Sequence, residues 1–251
     1  MQYVFITAFG VGGATIIGAL VGFAVGRIPA KWNSVILGFA AGIMLAAAVF
    51  GLILPSIDAV GAGGIWKTAV GIISGALFLN LADKFTPYLY GIAGVEKKQR
   101  GNVSVNNVLL FVMAIAIHNF PEGIAAGVAF GTGDIGNAVS VAVGIALQNI
   151  PEGMVIISPM IFAGVSRVRA FIIASVTGVV EIVGTFIGFF ASHISEAVLP
   201  FLLAFAGGTM LYVIIDDMIP ETQSNSRHFL VSCAVITGFV AMTVLNTVIS
   251  Q

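Results

Sequence analysis

Eight long apolar runs follow one another along the sequence, and they restrict the fold more than any other feature of the chain. Each run has at least 18 residues, enough for one α-helix to cross the hydrocarbon core of a bilayer. Only 8% of all residues are charged, whereas a soluble domain carries about 25%. We therefore predict an all-α, polytopic membrane protein in which residues 1–251 form a single transmembrane domain. The predicted spans are about 3–26, 33–57, 66–83, 106–130, 136–161, 169–191, 197–219 and 228–250.

The remaining composition excludes several classes of protein and partner. A net charge of −1 offers no strongly basic surface, so no nucleic-acid partner is expected. The single cysteine, Cys233, excludes an intramolecular disulfide and any cysteine-based metal cluster. The sequence contains no phosphate-binding loop for ATP. The 31 glycines suit close helix packing in lipid, and glycine-rich faces also favour a homodimer.

Basic residues are distributed unevenly between the two sides of the predicted membrane. The loops after spans 1, 3, 5 and 7 carry nine of the ten, whereas the loops after spans 2, 4 and 6 carry only Lys67. The nine are Arg27, Lys31, Lys84, Lys97, Lys98, Arg100, Arg167, Arg169 and Arg227. Because basic loops stay in the cytoplasm, we predict a multi-pass protein of the cell membrane with both termini outside.

Two near-identical motifs lie inside the fourth and fifth apolar runs. They read His-Asn-Phe-Pro-Glu-Gly at 118–123 and Gln-Asn-Ile-Pro-Glu-Gly at 148–153. A carboxylate in such a run needs a partner, because its charged form is costly away from water. The prolines are expected to kink both helices and to free carbonyl groups that only a cavity or an ion can satisfy. The duplication predicts one buried cation site built from two matching halves.

Residues four apart share one helix face, so the site has paired candidate ligands. The pairs are His118 with Glu122 and Gln148 with Glu152. The next residue in each motif, Asn119 or Asn149, lies about 100° further around its helix. These two asparagines would serve a second, adjacent position that shares the same glutamates.

Two further residues lie at a similar depth in their spans. Glu181 is the only other carboxylate near the middle of any span, and three glutamates at one depth repel one another unless a proton or a cation intervenes. A proton relay is the alternative role for Glu181. Met44 is either a thioether ligand or a filler of the apolar core. Imidazole, carboxylate, amide and thioether groups together suit divalent transition metals, whereas an all-oxygen set would favour Ca²⁺ or Mg²⁺.

A second internal match relates span 2 to span 7. Residues 38–45 resemble residues 204–211, and each segment is followed about ten residues later by a proline, Pro55 or Pro220. Spans 2 and 7 cross the membrane in opposite directions, as do spans 4 and 5. Both matches therefore fit one pseudo-two-fold axis in the membrane plane, which relates spans 1–3 to spans 6–8. Such a 3+2+3 inverted repeat is typical of secondary transporters.

These features together resemble the ZIP (Zrt-, Irt-like) family of divalent metal transporters, and most of all its bacterial short-loop, GufA-like branch. The likeness covers the whole chain. Span 4 of that family carries His-Asn-x-Pro-Glu, matched here by His118, Asn119, Pro121 and Glu122. Span 5 commonly carries histidine where this chain has Gln148, and this departure predicts a harder, less Zn²⁺-selective site. The loop at about 84–105 contains no histidine, whereas the family's loop is often rich in it.

The resemblance also implies two adjacent metal positions. One would comprise Met44, His118, Glu122, Gln148 and Glu152. The other would comprise Asn119, Glu122, Asn149, Glu152 and Glu181. Asn149 supplies no charge, which weakens the second position.

We expect a transporter that carries divalent transition-metal ions into the cytoplasm by an alternating-access movement, either elevator-like or rocking. The candidate substrates are Zn²⁺, Fe²⁺, Mn²⁺, Co²⁺ and Cd²⁺, which the sequence does not rank, and no prosthetic group is expected. The alternative is an intramembrane metal-dependent hydrolase, because His118 and Glu122 are spaced like metal ligands. The sequence lacks His-Glu-x-x-His and has no second histidine near the site, so we do not expect an enzyme.

Polar residues near the span ends have less distinctive roles. Three are expected at the outer face: Asp58, His193 and Glu196. Three at the inner end of span 7 either line a cytoplasmic exit or form a solvated helix end: Asp216, Asp217 and Glu221. Asn80 and Asp83 end span 3, where nothing in the sequence distinguishes them. Asp134 is expected to cap the turn between spans 4 and 5.

Overall fold

The computed structural model describes residues 1–92, 105–162, 164–195, 197–223 and 228–249, and this part of the chain contains helices and turns but no strand. The helices are α1 (Gln2–Val25), α2 (Ala30–Ala46), α3 (Leu54–Ile92), α4 (Val105–Val128), α5 (Ile135–Phe162), α6 (Arg167–Ser192), α7 (Leu199–Val213), α8 (Ile219–Gln223) and α9 (His228–Ile249). The predicted all-α class is confirmed, and each predicted span falls on one or two of these helices. Most of the long predicted cytoplasmic loop lies outside the described residues.

In the described part of the chain, six helical stretches are long and apolar enough to cross a membrane. They are Gln2–Val25, Lys31–Lys84, Ile135–Phe162, Arg167–Ser192, Leu199–Thr222 and His228–Ile249. Large apolar side chains such as Phe9, Ile73 and Val244 are exposed along them, as expected for surfaces that face lipid. The second stretch has 54 residues, whereas one crossing needs about 20, and its backbone breaks at Gly61 with a φ of 63°. Predicted spans 2 and 3 lie on either side of this break.

Two π-helical segments interrupt the helices at corresponding points. Ala47–Ile53 follows α2, and Ile214–Met218 follows α7. Each segment is followed by a proline two residues after its end, Pro55 or Pro220. Proline has no N–H to donate and its ring collides with the carbonyl four residues earlier, so a widened turn ahead of it is a local response. The two segments that match in sequence therefore also lead into the same backbone irregularity.

The helices pack in two sets, which we call the site helices (α1, α4, α5 and α6) and the flanking helices (α2, α3, α7 and α9). Among the site helices, α1 packs on α5 and α6, and α4 packs on α6; among the flanking helices, α2 packs on α9 and α3 on α7. Gly153 of α5 lies against the backbone of Thr15 in α1, and Gly123 of α4 lies against that of Glu181 in α6. A Cβ at either glycine would overlap a carbonyl oxygen. These glycines end the duplicated motifs, so the motifs also determine which helices surround them.

The close packing of α2 on α9 is testable at Gly42. A Cβ added there would lie 2.8 Å from the backbone nitrogen of Phe239 and would also overlap a neighbouring carbonyl oxygen. Gly42→Ala is expected to lower the free energy of unfolding by about 1–3 kcal/mol, the usual cost of overpacking. The measurement is the midpoint of thermal unfolding in detergent. Gly13→Ala in α1 is the matched control, because a Cβ there meets nothing within 4 Å; equal midpoints for the two variants would contradict the close approach.

Candidate metal centre

The two duplicated motifs meet through their side chains in the interior. Gln148 of α5 donates from Nε2 to Glu122 Oε2 of α4 at 2.6 Å, and the same nitrogen donates to Asn149 Oδ1. Glu122 is 1% exposed and Gln148 is fully buried. Both helices continue through their motif prolines, so these side chains project from regular helix into one buried space.

Glu181 of α6 joins this cluster through a dense set of hydrogen bonds. Thr15 Oγ1 of α1 lies 2.9 Å from each of the two Glu181 oxygens, which share the one hydroxyl hydrogen. Asn149 donates from Nδ2 to Glu181 Oε2 at 2.7 Å, and Asn119 donates to Glu181 Oε1. All four site helices therefore contribute a side chain to one polar cluster, in which Glu181 is fully buried.

Several acceptor oxygens in this cluster have no hydrogen-bond donor among the described residues. They are Asn119 Oδ1, Glu122 Oε1, Gln148 Oε1 and Glu152 Oε2. A buried polar atom without a partner is costly, and a buried carboxylate more so. One divalent cation would satisfy several such oxygens at once and offset the charge of two glutamates. These carboxylate and amide oxygens therefore form a ligand set that fits a metal ion.

His118 faces a second group of carboxylates. Its Nε2 lies 3.4 Å from Asp83 Oδ1 of α3 and 3.4 Å from Asp217 Oδ2 in the π-helical segment after α7. One potential ligand atom from each of the three residues lies within 4.8 Å of the others, close enough to share an ion. His118 thus connects a site helix to two of the flanking elements.

A cavity of about 250 Å³ adjoins both groups. His118 and Glu152 line it together with three acidic residues, Asp216, Asp217 and Glu221. A cavity with one sign of charge on low-dielectric walls concentrates counter-ions, here cations. The structure therefore places an acidic cavity next to Glu152, whose Oε2 has no donor among the described residues.

The predicted ligands fall into two groups by their surroundings. Met44 is fully buried in the apolar core with Ala40 and Ile43 of its own helix, and its role as a ligand stays a prediction. The others line the cavity or belong to the hydrogen-bonded cluster: His118, Asn119, Glu122, Gln148, Asn149, Glu152 and Glu181.

The sequence did not predict that three further residues lie at this centre: Thr15, Asp83 and Asp217. Thr15 had a detectable signal, because the shift of 166 residues that aligns Met44 with Met210 also aligns Thr15 with Glu181. Asp83 had none, since its approach to His118 depends on how α3 is rotated.

The remaining residues that were predicted near the span ends lie away from this cluster. Asp134 Oδ1 accepts from the Asn137 N–H at 2.9 Å, a local contact that fits the structural role expected for Asp134. Asp58 is exposed, and His193 Nδ1 lies 2.8 Å from the carbonyl of Phe189 in its own helix. Glu196 lies outside the described residues. Cys233 is an exposed free thiol on α9.

The fold and the cluster define a class of protein, a multi-pass helical membrane protein with carboxylates and amides buried between its helices. Comparison with known proteins identifies the family: the model of the ZIP zinc transporters matches residues 91–246. The chain belongs to the ZIP family, as its resemblance to that family predicted.

Relatives extend this similarity over most of the chain. Zinc transporter GufA of Myxococcus xanthus is 37% identical over 241 residues, covering 94% of each chain. Zinc transporter ZIPB of Bordetella bronchiseptica is 34% identical, covering 93% of this chain and 77% of its own. Zinc transporter ZIP11 of Homo sapiens is 33% identical, covering 84% and 86%.

The oxygens without donors predict that a divalent cation stabilises the folded protein. Because a ligand that binds only the native state adds about 2.7 kcal/mol at 100 times its Kd, Zn²⁺ or Mn²⁺ is expected to raise the thermal unfolding midpoint. The Glu122→Gln/Glu152→Gln double variant should lose this increase. Asp58→Asn, an exposed carboxylate away from the cluster, should keep it. An equal increase in the parent and the double variant would contradict a site at these glutamates.

Proposed function

We propose that this protein carries divalent transition-metal ions into the cytoplasm through a site on α4 and α5 near the bilayer midplane. The observation that carries the proposal is the group of buried acceptor oxygens, on Asn119, Glu122, Gln148 and Glu152, without donors among the described residues. Zn²⁺ is the first substrate, because the relatives are named zinc transporters. Fe²⁺, Mn²⁺, Co²⁺ and Cd²⁺ are further candidates, because carboxylate and amide oxygens accept them as well.

The ion is held by His118, Glu122, Gln148 and Glu152, with Met44 as the remaining predicted ligand. Two carboxylates balance the charge of a divalent ion, and one imidazole adds the nitrogen ligand that transition metals favour over Ca²⁺. The preference for Zn²⁺ over harder divalent ions stays moderate, because the residue opposite His118 is Gln148, which offers an amide oxygen instead of a second imidazole. His118 lies between this site and the acidic cavity, so it serves both binding and release.

The eight-span, 3+2+3 arrangement is supported by matching contacts in the two halves. Gly18 of α1 lies against the backbone of Ile150, the residue before the motif proline in α5. Gly184 of α6 lies in the same way against Phe120, the residue before the motif proline in α4. The two glycines are 166 residues apart, the same shift that relates the matched segments of α2 and α7. Two halves with equivalent contacts and opposite orientations suit alternating access.

Transport occurs by movement of the site helices against the flanking helices. Polar contacts between the two sets lie at both ends of the site. Toward one end, Asn137 Nδ2 donates to the Gly51 carbonyl at 3.1 Å, and Ser140 Oγ donates to Asn246 Oδ1 at 2.7 Å. Toward the other end, His118 lies 3.4 Å from Asp83 and from Asp217, and Asp217 also lines the cavity. In the predicted orientation the cavity end faces the cytoplasm, so we assign this structure to an inward-facing state.

The energy for transport comes from an ion gradient, since the sequence contains no phosphate-binding loop. Metal binding displaces protons from glutamate and histidine, which makes proton exchange the natural coupling. A hydrolase receives no support from the relatives, which are named transporters. The other two histidines, His193 and His228, lie near span ends rather than beside His118.

Uptake of Zn²⁺ into proteoliposomes tests the function. Glu122→Ala and Glu152→Ala are each expected to reduce uptake to the level of protein-free vesicles, because each removes a charged ligand. Asp58→Asn is the control and should transport at the parental rate. A parent protein that shows no metal flux would exclude a transporter, and unchanged flux in both glutamate variants would exclude this site.

The amide of Gln148 predicts the direction of a selectivity change. Gln148→His adds a second imidazole, which binds Zn²⁺ better than it binds the harder Mn²⁺. The variant is therefore expected to increase the preference for Zn²⁺ over Mn²⁺ in uptake competition. Gln148→Glu is the matched comparison and should change the preference in the opposite direction, because it adds a hard oxygen ligand. The same preference in both variants would argue that residue 148 does not contact the ion.

A further inference from the structure

Both oxygens of the Glu181 carboxylate already accept hydrogen bonds from the protein. Asn119 donates to Oε1 and Asn149 donates to Oε2. The single hydroxyl hydrogen of Thr15 is shared between the two oxygens, so three donors surround a carboxylate that offers about four lone-pair positions. Glu122 and Glu152 differ in this respect, because each keeps one oxygen without a donor among the described residues.

The donors around Glu181 form a directional chain that ends at the proposed metal site. Asn149 turns its Nδ2 toward Glu181 and the Val11 carbonyl, so its Oδ1 faces Gln148 and accepts from Gln148 Nε2. Gln148 uses the same nitrogen to donate to Glu122 Oε2. The amide nitrogen of Gln148 is then fully used, and its Oε1 is the atom that lacks a donor. Asn119 is oriented in the same way, with its nitrogen on Glu181 and its Oδ1 without a donor.

We propose that Glu181, together with Thr15, is a positioning residue that orients the amide oxygens of Gln148 and Asn119 toward a single transported ion. Glu181 itself does not bind that ion. The inference rests on the proposed function. The family resemblance implied a second metal position at Glu181; we propose instead that hydrogen bonds from Thr15, Asn119 and Asn149 occupy this place.

Asn149 determines this arrangement. As an amide it donates to Glu181 and accepts from Gln148, and an aspartate in its place could only accept. An aspartate would therefore set two carboxylates against each other in a buried space, where a second cation must intervene. In this chain the amide at 149 and the hydroxyl at 15 supply donors, and the charge of Glu181 is compensated without metal.

The number of bound ions is the first test. Crystals soaked in Cd²⁺, examined by anomalous scattering, are expected to show one ion beside Glu122 and Glu152, with neither Glu181 oxygen among its ligands. Asn149→Asp should show a second ion that contacts Glu181. An ion bound to Glu181 in the parent protein would overturn the inference while leaving the proposed function intact. No ion near the cluster would overturn the proposed function, and the inference with it.

Transport kinetics provide the second test, which does not depend on crystals. Thr15→Val removes a donor to Glu181 and is expected to raise the KM for Zn²⁺ by on the order of 10-fold, as for other groups that orient a metal ligand. Thr15→Ser retains the hydroxyl and should restore the parental KM. Thr177→Val is the matched control, because this buried hydroxyl of α6 donates to the Ala174 carbonyl of its own helix.

A double variant separates orientation from a general effect on the fold. An imidazole nitrogen at residue 148 needs no oriented amide, so Thr15→Val should raise KM far less in a Gln148→His background than in the parent. Equal effects in the two backgrounds would show that Thr15 acts independently of Gln148 and would overturn the positioning role.

Discussion

A carboxylate buried between membrane helices must have its charge compensated in place, because no water is available to solvate it. In this protein the compensation takes two forms. Glu181 is surrounded by donors from three other helices, whereas Glu122 and Glu152 each present an oxygen without a donor in the described part of the chain. The first arrangement uses donors of the protein itself, and the second leaves oxygens that a proton or a cation would satisfy. In the proposed transporter, the distribution of hydrogen-bond donors therefore decides where the ion binds.

Donors reach these carboxylates only because the helices approach one another closely. Gly123 and Gly153 bring α4 onto α6 and α5 onto α1, at the level of Glu181 and Thr15. A short side chain such as threonine or asparagine can then span the remaining gap. The Pro-Glu-Gly motif thus combines three roles in consecutive residues: the proline frees a carbonyl, the glutamate supplies charge, and the glycine sets the distance to the next helix.

The helical class, the helix positions and the meeting of the two motifs could be predicted from the sequence. These features follow from the length of the apolar runs and from the duplicated motif, which do not depend on how side chains pack. The partners of individual side chains could not. Asp83 approaches His118 because of the rotation of α3. The hydrogen bonds to Glu181 depend on how the amides of Asn119 and Asn149 are oriented. Residue spacing along the chain predicts neither the rotation of a helix nor the orientation of a side-chain amide. Thr15 is intermediate, because the repeat relates it to Glu181 although a threonine in an apolar run is unremarkable by itself.

The proposed inverted repeat is most informative where its halves differ. The position of Glu181 in one half is occupied by Thr15 in the other, and the two side chains are hydrogen-bonded to each other as acceptor and donor. Two glutamates there would repel, and two threonines would leave no charge to orient the amides. The position of His118 is likewise occupied by Gln148, so only one half reaches Asp83 and Asp217. Near-symmetric halves suit a site that opens to either side, and in the proposed transporter these two differences between the halves make the ligand set of that site asymmetric.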